Sequence, residues 1–276
     1  MTYWNAVLLG LVQGVAEFLP ISSSGHLAVL QNFLAIGDME NHMLFDVLLH
    51  LGTLAAVILA FWKDVREVVT EFARMLHIRR TPRGMKPNRR ERRLISFLII
   101  ATLPLIPAAF LSNVVESLYQ NTFFIGFAFI LTGFLLFAAD RMGHGNKDER
   151  SSTTADALGV GLAQAVAVVP GLSRSGTTIS FGMLRGFERS FAVKFSFLLS
   201  IPAVLGANLV SIIKVFSTGV EWSYVPMYLA GVACAFVSGY FAIYFLRLVV
   251  QRGKFGGFCY YCWGAGLVTL LLSLIS

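Results

Sequence analysis

The sequence predicts an all-α polytopic membrane protein: a single integral membrane domain over 1–276, with six transmembrane helices plus two re-entrant helix pairs arranged as an inverted-topology repeat. Three observations predict it. Hydrophobic residues make up 56% of the 276 and charged residues only 13%, with a mean hydropathy of +0.71, a balance far from that of a soluble globular domain. Six stretches are long and apolar enough to span a bilayer, and two more are broken at their centres by polar residues. Those two broken stretches resemble each other, one in each half of the chain.

The first broken stretch is 4–36, where "LLGLVQGVAEFL" runs into "PISSSGH" at residues 20–26. Its arms and those of the second broken stretch, 155–187, are about 11–16 residues long. At about 1.5 Å per residue the longest reaches roughly 24 Å, short of a hydrocarbon core of roughly 30 Å. Each therefore reads as a helix pair that enters and leaves on one side, with irregular backbone that must line a cavity. The uncharged N-terminus lacks the basic region of a signal peptide, so the first arm is expected to remain in the mature protein. The six expected spans are 45–62, 94–111, 123–139, 191–213, 225–246 and 256–275.

Charge sets the expected orientation. No Lys or Arg precedes Lys63, and eleven fall between Lys63 and Arg93. With 63–93 in the cytoplasm, the segments 140–156, 185–194 and 247–254 fall on the same side with three each, so 20 of the 22 basic residues are internal. Lys214 lies outside and Arg174 falls inside the second broken stretch. Asp38, Glu40, Asp46, Glu116 and Glu221 fall on the outer side, and both termini are external. Such clustering is a topology signal rather than a nucleic-acid surface, although "RRTPRGMKPNRRERR" could also meet anionic lipid headgroups.

Shifted by 151, "GLVQGVAEFLPISSSG" (10–25) lies over "GLAQAVAVVPGLSRSG" (161–176) with eight of sixteen positions identical. Shifted by 150, "FDVLLHLGTLAAV" (45–57) lies over "FSFLLSIPAVLGA" (195–207). The repeats run from about 1–150 and 151–276. Three spans per repeat is an odd number, so the second must be inverted, which brings the two breaks together near the midplane.

At the breaks the residue types point to an anion. Gln13 and Glu17 share one face of the entering helix. Pro20 ends that helix, and Ser22–Ser24 can cap a second one from about Gly25, with His26 in its first turn. "PGLSRSGTT" (170–178) repeats the device: Pro170 and Gly171 stop a helix, and Ser173 or Ser175 opens another. Two helix N-termini and the planar fork of Arg174 favour a phosphate. Competing readings are structural: serines and glycines for close packing, Gln13 for a helix–helix hydrogen bond, a Glu17–Arg174 ion pair, and His50 as a satisfied interior histidine rather than a cavity residue. Ionisable residues at membrane depth are nevertheless functional by default. Carboxylate, imidazole, hydroxyls and guanidinium around an anion form a phosphoryl-transfer set. Cys234, Cys259 and Cys262 are an odd number in apolar surroundings, and the "CYYC" spacing reads as packing.

Gln13-x-x-x-Glu17, "PISSSGH" and "PGLSRSGTT" together resemble the two signature regions of the undecaprenyl pyrophosphate phosphatase (undecaprenyl-diphosphatase) family, the bacitracin-resistance phosphatases of bacterial membranes. The resemblance covers essentially the whole chain. It implies hydrolysis of a polyprenyl pyrophosphate lipid, undecaprenyl pyrophosphate, to the monophosphate and phosphate, recycling the carrier for cell-wall synthesis. It also implies a divalent cation, Mg2+ or Ca2+, held through Glu17 and Gln13, and a multi-pass protein of the bacterial plasma membrane whose site opens to the extracytoplasmic side. Glu17, Ser23, His26 and Arg174 match the family's key residues. Ser173, Ser175 and Thr178 match its phosphate-binding loop, and Ser22, Ser24, Gly25 and Gly176 are expected to contact substrate beside them. The leading position of the first motif is Glu or Gln in the family; Gln13 makes one metal-binding oxygen neutral. Ser23 and His26 compete as nucleophile. The alternative function is a transporter or flippase for a lipid-linked phosphate, since inverted repeats also serve transport. The type-2 phosphatidic acid phosphatase pattern lacks its upstream Lys–Arg-Pro motif and its later histidine here. A homodimer and membrane lipids complete the expected partners, with no nucleic acid.

Overall fold

The structure, a computed structural model, describes residues 2–33, 43–78, 88–218 and 222–274. Within them the chain is helical throughout, with no strand beyond an isolated bridge between Lys147 and Phe187. The first broken stretch forms α1 (Tyr3–Phe18) and α2 (Ser23–Phe33). It is followed by α3 (Met43–Ala60), α4 (Trp62–Met75), α5 (Arg89–Thr102), α6 (Leu105–Ala109), α7 (Ser112–Tyr119) and α8 (Thr122–Met142). The second broken stretch forms α9 (Thr154–Val166) and α10 (Arg174–Leu184), followed by α11 (Arg189–Thr218), α12 (Val225–Gln251) and α13 (Phe258–Ser273).

Among the described residues five helical segments are long and apolar enough to cross a membrane: 89–109, 122–142, 189–213, 222–251 and 255–273. A sixth appears if α3 and α4 count together, but they are bent by 91° at Phe61. The expected span 45–62 thus stops at Ala60, and α4 leaves at a right angle with Trp62, Val69 and Phe72 exposed and Glu71 buried. Glu71 is held there by Arg92 at 2.7 Å and Arg74 at 3.3 Å. The span 94–111 breaks between α5 and α6 at Leu103–Pro104, where proline cannot continue the hydrogen-bond ladder. The short α7 was not anticipated. Large apolar side chains face outward at helical spacing, such as Phe127, Leu131 and Phe134 on α8 and Val237, Phe241 and Tyr244 on α12. Surface of that extent and pattern marks an integral membrane protein.

The broken stretches pack across the two halves of the chain. The first-half α1 runs along α12, where an added methyl at Gly10 would lie 3.0 Å from the Cα of Gly231 and one at Gly14 would lie 2.8 Å from the Gly239 nitrogen. The second-half α9 runs along α5, with Gly161 equally close to Ala101. Glycine at these points lets backbones approach where side chains would hold them apart. Phe18, Phe61 and Phe197 join edge to face at 5.5 and 5.6 Å in the main core cluster.

The four basic segments meet at one end of the bundle. Arg90 pairs with Glu149, and Lys194 reaches Asp64 at 2.6 Å. Lys147 and Arg185 share Asp156, each at 2.9 Å, while Arg189 meets Asp140 at 2.8 Å and Arg247 stacks 5.3 Å over the Phe61 ring. Asp38, Glu40, Glu221 and the loop residues 79–87 lie outside the described residues, as do the side chains of Glu116 and Lys214. Asp46 is half-buried on α3, where Gln31 donates to it at 3.4 Å.

Candidate active site

Each break is a helix stop followed by a serine cap. After α1 the chain turns through Leu19–Ser22, and Ser22 adopts φ 71°, a left-handed conformation costly for a residue with a Cβ. Its hydroxyl accepts the Gly25 N–H at 3.3 Å and so opens α2, which begins at Ser23, two residues earlier than the sequence suggests. After α9 the corresponding turn is made by Gly171 at φ 88°, and the Ser173 hydroxyl accepts the Gly176 N–H at 3.0 Å. Ser22 and Ser24 lie 3.3 Å apart through their hydroxyls, and so do Ser173 and Ser175. The two caps use the same positions of the repeat. Each leaves the first two N–H groups of its helix without an intrahelical partner.

The breaks touch. The Ser175 hydroxyl donates to the Leu19 carbonyl at 3.2 Å. A methyl on Gly25 would lie 3.0 Å from the Gly171 Cα, and one on Gly176 would lie 3.1 Å from Pro20. Side chains larger than hydrogen would wedge the two breaks apart. Arg174 crosses the junction to form an ion pair with Glu17 Oε1. The other carboxylate oxygen accepts from Ser23 Oγ at 2.6 Å and from Gln13 Nε2 at 3.1 Å. Thus a buried carboxylate from the first break, a guanidinium from the second and a serine hydroxyl lie in one hydrogen-bonded group, with Ser23 and Arg174 partly accessible. The Glu17–Arg174 ion pair is present, and with the Ser175–Leu19 hydrogen bond it joins the two halves of the site.

His26 lies in the first turn of α2. Its Nδ1 is 2.7 Å from the Ser22 carbonyl and its Nε2 is 2.7 Å from the Tyr261 hydroxyl of α13. Phe129 packs edge-on against the ring at 4.9 Å. Thr178 stands apart from the Glu17 group: its hydroxyl bonds to the Arg174 carbonyl at 2.9 Å and to Ser196 of α11 at 2.6 Å. His50 places Nδ1 2.8 Å from the Asp46 carbonyl of its own helix, and its ring also lies within electrostatic reach of the Glu17 carboxylate. Cys262, buried and free, donates to the Pro20 carbonyl at 3.4 Å and so ties α13 to the first break. Tyr261, Thr132 and Ser196 had no signal in the sequence, because their partners lie on helices distant along the chain. Thr132 holds the second break from α8, receiving the Ser173 N–H at 3.3 Å and donating to the Gly171 carbonyl at 3.4 Å.

Two oxygens fit a hard cation. Gln13 Oε1 is fully buried with no hydrogen-bond partner, and the Glu17 carboxylate lies one helical turn away. Among the described residues no three His, Cys, Asp or Glu side chains gather to hold a metal. The donor set therefore suits an ion that completes its shell from phosphate oxygens and water. A cavity of about 250 Å³ lies elsewhere, among Asp64, Arg90, Glu149, Lys194 and Arg247 at the basic end, and has no part in this group.

Comparison with known proteins agrees with this geometry. The family model described as bacitracin resistance protein BacA matches residues 6–268. The chain is 41% identical to the undecaprenyl-diphosphatase of Alkaliphilus metalliredigens, with all of both chains aligned. It is 41% identical to that of Syntrophotalea carbinolica over 96% of this chain and 97% of the relative. It is 38% identical to that of Carboxydothermus hydrogenoformans over 99% and 98%. With both breaks inside the matched region, the chain belongs to the bacitracin resistance protein BacA family.

Proposed function

We propose that this protein hydrolyses undecaprenyl pyrophosphate to undecaprenyl phosphate and inorganic phosphate. The observation that carries the reading is the junction of the two breaks, where Glu17, Ser23 and Arg174 form one bonded group beside His26 and two helix N-termini. The diphosphate would sit against Arg174 and the free N–H groups at the starts of α2 and α10, which together stabilise charge developing on the phosphoryl oxygens. Ser22, Ser24, Ser173 and Ser175 shape that cradle, Gly25 and Gly176 keep it open to the backbone, and Thr178 supports it from one turn behind.

In this reading Ser23 Oγ attacks the terminal phosphorus while its proton passes to Glu17 Oε2, 2.6 Å away. The P–O bond to the bridging oxygen breaks, undecaprenyl phosphate departs, and Ser23 carries the phosphoryl group. Water then gives a proton to His26 Nε2 and attacks the phosphoserine, Glu17 returns its proton to the departing Ser23 Oγ, and His26 gives up its proton as phosphate leaves. Ser23 is preferred to His26 as nucleophile because its oxygen already bonds to a base. Gln13 and Glu17 are the residues that would hold Mg2+ or Ca2+, which when bound would supply neutralisation of the diphosphate charge.

We further read the chain as two inverted repeats, about 1–150 and 151–276, with six spans and two re-entrant pairs. The exchanged packing of α1 on α12 and α9 on α5 supports this, as does the paired capping of the two breaks. Thr132, which touches the second break, sits at the middle of the 21-residue α8, about 15 Å from either end, and Phe129, which touches the first, sits one turn closer to its start. The site would then lie at mid-membrane and open away from the basic end, to the extracytoplasmic side of a bacterial plasma membrane. The test is phosphate release from undecaprenyl pyrophosphate by purified protein, with and without chelator. Activity should fall about 10²-fold or more in Glu17→Gln, Ser23→Ala, His26→Ala and Arg174→Ala, and with chelator. A transporter would release no phosphate, and unimpaired turnover in all four variants would refute the site.

A further inference from the structure

The ring of His26 is gripped on both sides by groups of unlike capability. The Ser22 carbonyl, 2.7 Å from Nδ1, can only accept, so Nδ1 carries a proton. In the neutral ring Nε2 is then the bare nitrogen, and what faces it at 2.7 Å is the Tyr261 hydroxyl. A phenol can donate to that lone pair. It can also accept from Nε2–H once the ring is charged. The Tyr261 ring lies nearly parallel to the imidazole, with centroids 5.7 Å apart and 20° between planes. Phe129 closes a second side, edge-on. The next residue of α13, Cys262, bonds to the Pro20 carbonyl, so α13 takes hold of the first break at two successive positions. Tyr261 lies in neither polar motif.

We propose that Tyr261 is a positioning residue for the hydrolysis, its hydroxyl holding the His26 ring in place while the Ser22 carbonyl fixes the Nδ1 proton and leaves Nε2 as the ring's single base. The proposal rests on the hydrolase reading above. In the resting site the phenol holds Nε2, and during dephosphorylation of Ser23 it turns aside to admit the water that gives Nε2 its proton. When water has given up its proton, the same hydroxyl can receive the new Nε2–H. One side chain therefore serves both charge states of the imidazole without moving the backbone.

The test is Tyr261→Phe, which keeps the aromatic ring and removes only the hydroxyl. Steady-state phosphate release from undecaprenyl pyrophosphate should show kcat reduced about tenfold, the worth of one hydrogen bond, with KM within about twofold. In a His26→Ala background the same change should cost nothing further, because Tyr261 acts through the imidazole. Wild-type kcat in Tyr261→Phe overturns the proposal, and so does an equal loss in the His26→Ala background. A second measurement uses the intact wild type: ¹⁵N spectra of histidine-labelled protein, with His26 assigned by its loss in His26→Ala, should show Nδ1 protonated and Nε2 bare. The opposite tautomer overturns the assignment even if Tyr261→Phe does not fold. Absence of phosphate release by wild type would refute the hydrolase reading and this role with it. Active wild type with an unaffected Tyr261→Phe refutes Tyr261 alone.

Discussion

Ser22 accepts backbone strain in exchange for a cap. Its φ of 71° costs a residue with a Cβ about 1 kcal/mol, while its hydroxyl satisfies the buried Gly25 N–H. Ser22→Ala keeps the strain and loses the cap, so it should destabilise the protein by about 1–2 kcal/mol. Ser22→Gly also loses the side-chain cap but relieves the backbone, and should melt within about 2 °C of wild type in detergent. A Gly variant that melts as low as the Ala variant would show that the turn is not strained. At this scale the sequence is most telling where a residue is out of place. Glu17 and Arg174 stand out because ionisable groups in apolar stretches need partners, and they prove to be each other's. Tyr261 does not stand out, since a tyrosine in an apolar helix is ordinary until its hydroxyl is seen to meet an imidazole.

The second helix pair is moored at its base. Asp156 closes a capping box with Thr153 and also receives Lys147 and Arg185. Burial alone would raise its carboxyl, but Lys147 and the Thr153 N–H and hydroxyl outweigh burial and hold it down to about 2. A folded-state value below the ordinary 3.8 means stability that is present above about pH 4 and lost as pH falls toward 2. Allowing for the partial exposure of both cations, Asp156→Asn should cost about 1–2 kcal/mol at pH 7. Thermal melts of the two proteins should converge near pH 2; a constant gap would show that the charge is not what matters. The stop at Pro104, inside the expected span 94–111, was missed, but helix stops were legible where Pro, Gly and Ser cluster in an apolar run, which is why both breaks fall where the sequence puts them. The right angle at Phe61 was not. Residues 61 and 62 are apolar, and only the amphipathic pattern beyond them marks the change of direction.

Across the whole molecule, the clustering of basic segments read from the chain is matched by their meeting at one end of the bundle through Arg90–Glu149, Lys194–Asp64 and Arg247 over Phe61. The proposed orientation puts that end in the cytoplasm. A cysteine at Asn121, at the opposite end of α8 from the basic segments, should react with an impermeant maleimide on intact cells. One at Arg150 should react only after permeabilisation, with the unsubstituted protein as background. The reverse pattern inverts the molecule and refutes an outward-opening site. The proposed repeat rests on polar positions that recur along the sequence at a constant shift. That each half packs its broken stretch on the other half was not legible, since small residues such as Gly10 and Gly161 do not name the helix they will meet.

That mutual embrace sets a timetable for biogenesis. Glu17 waits 157 residues for Arg174, and His26 waits 235 for Tyr261. At about 5–20 residues per second of synthesis, the nascent first segment spends roughly 10–50 s with an unsheltered carboxylate and imidazole. During that interval the insertion machinery or lipid headgroups must harbour them, and any pause late in translation prolongs the exposure of the earliest part of the chain.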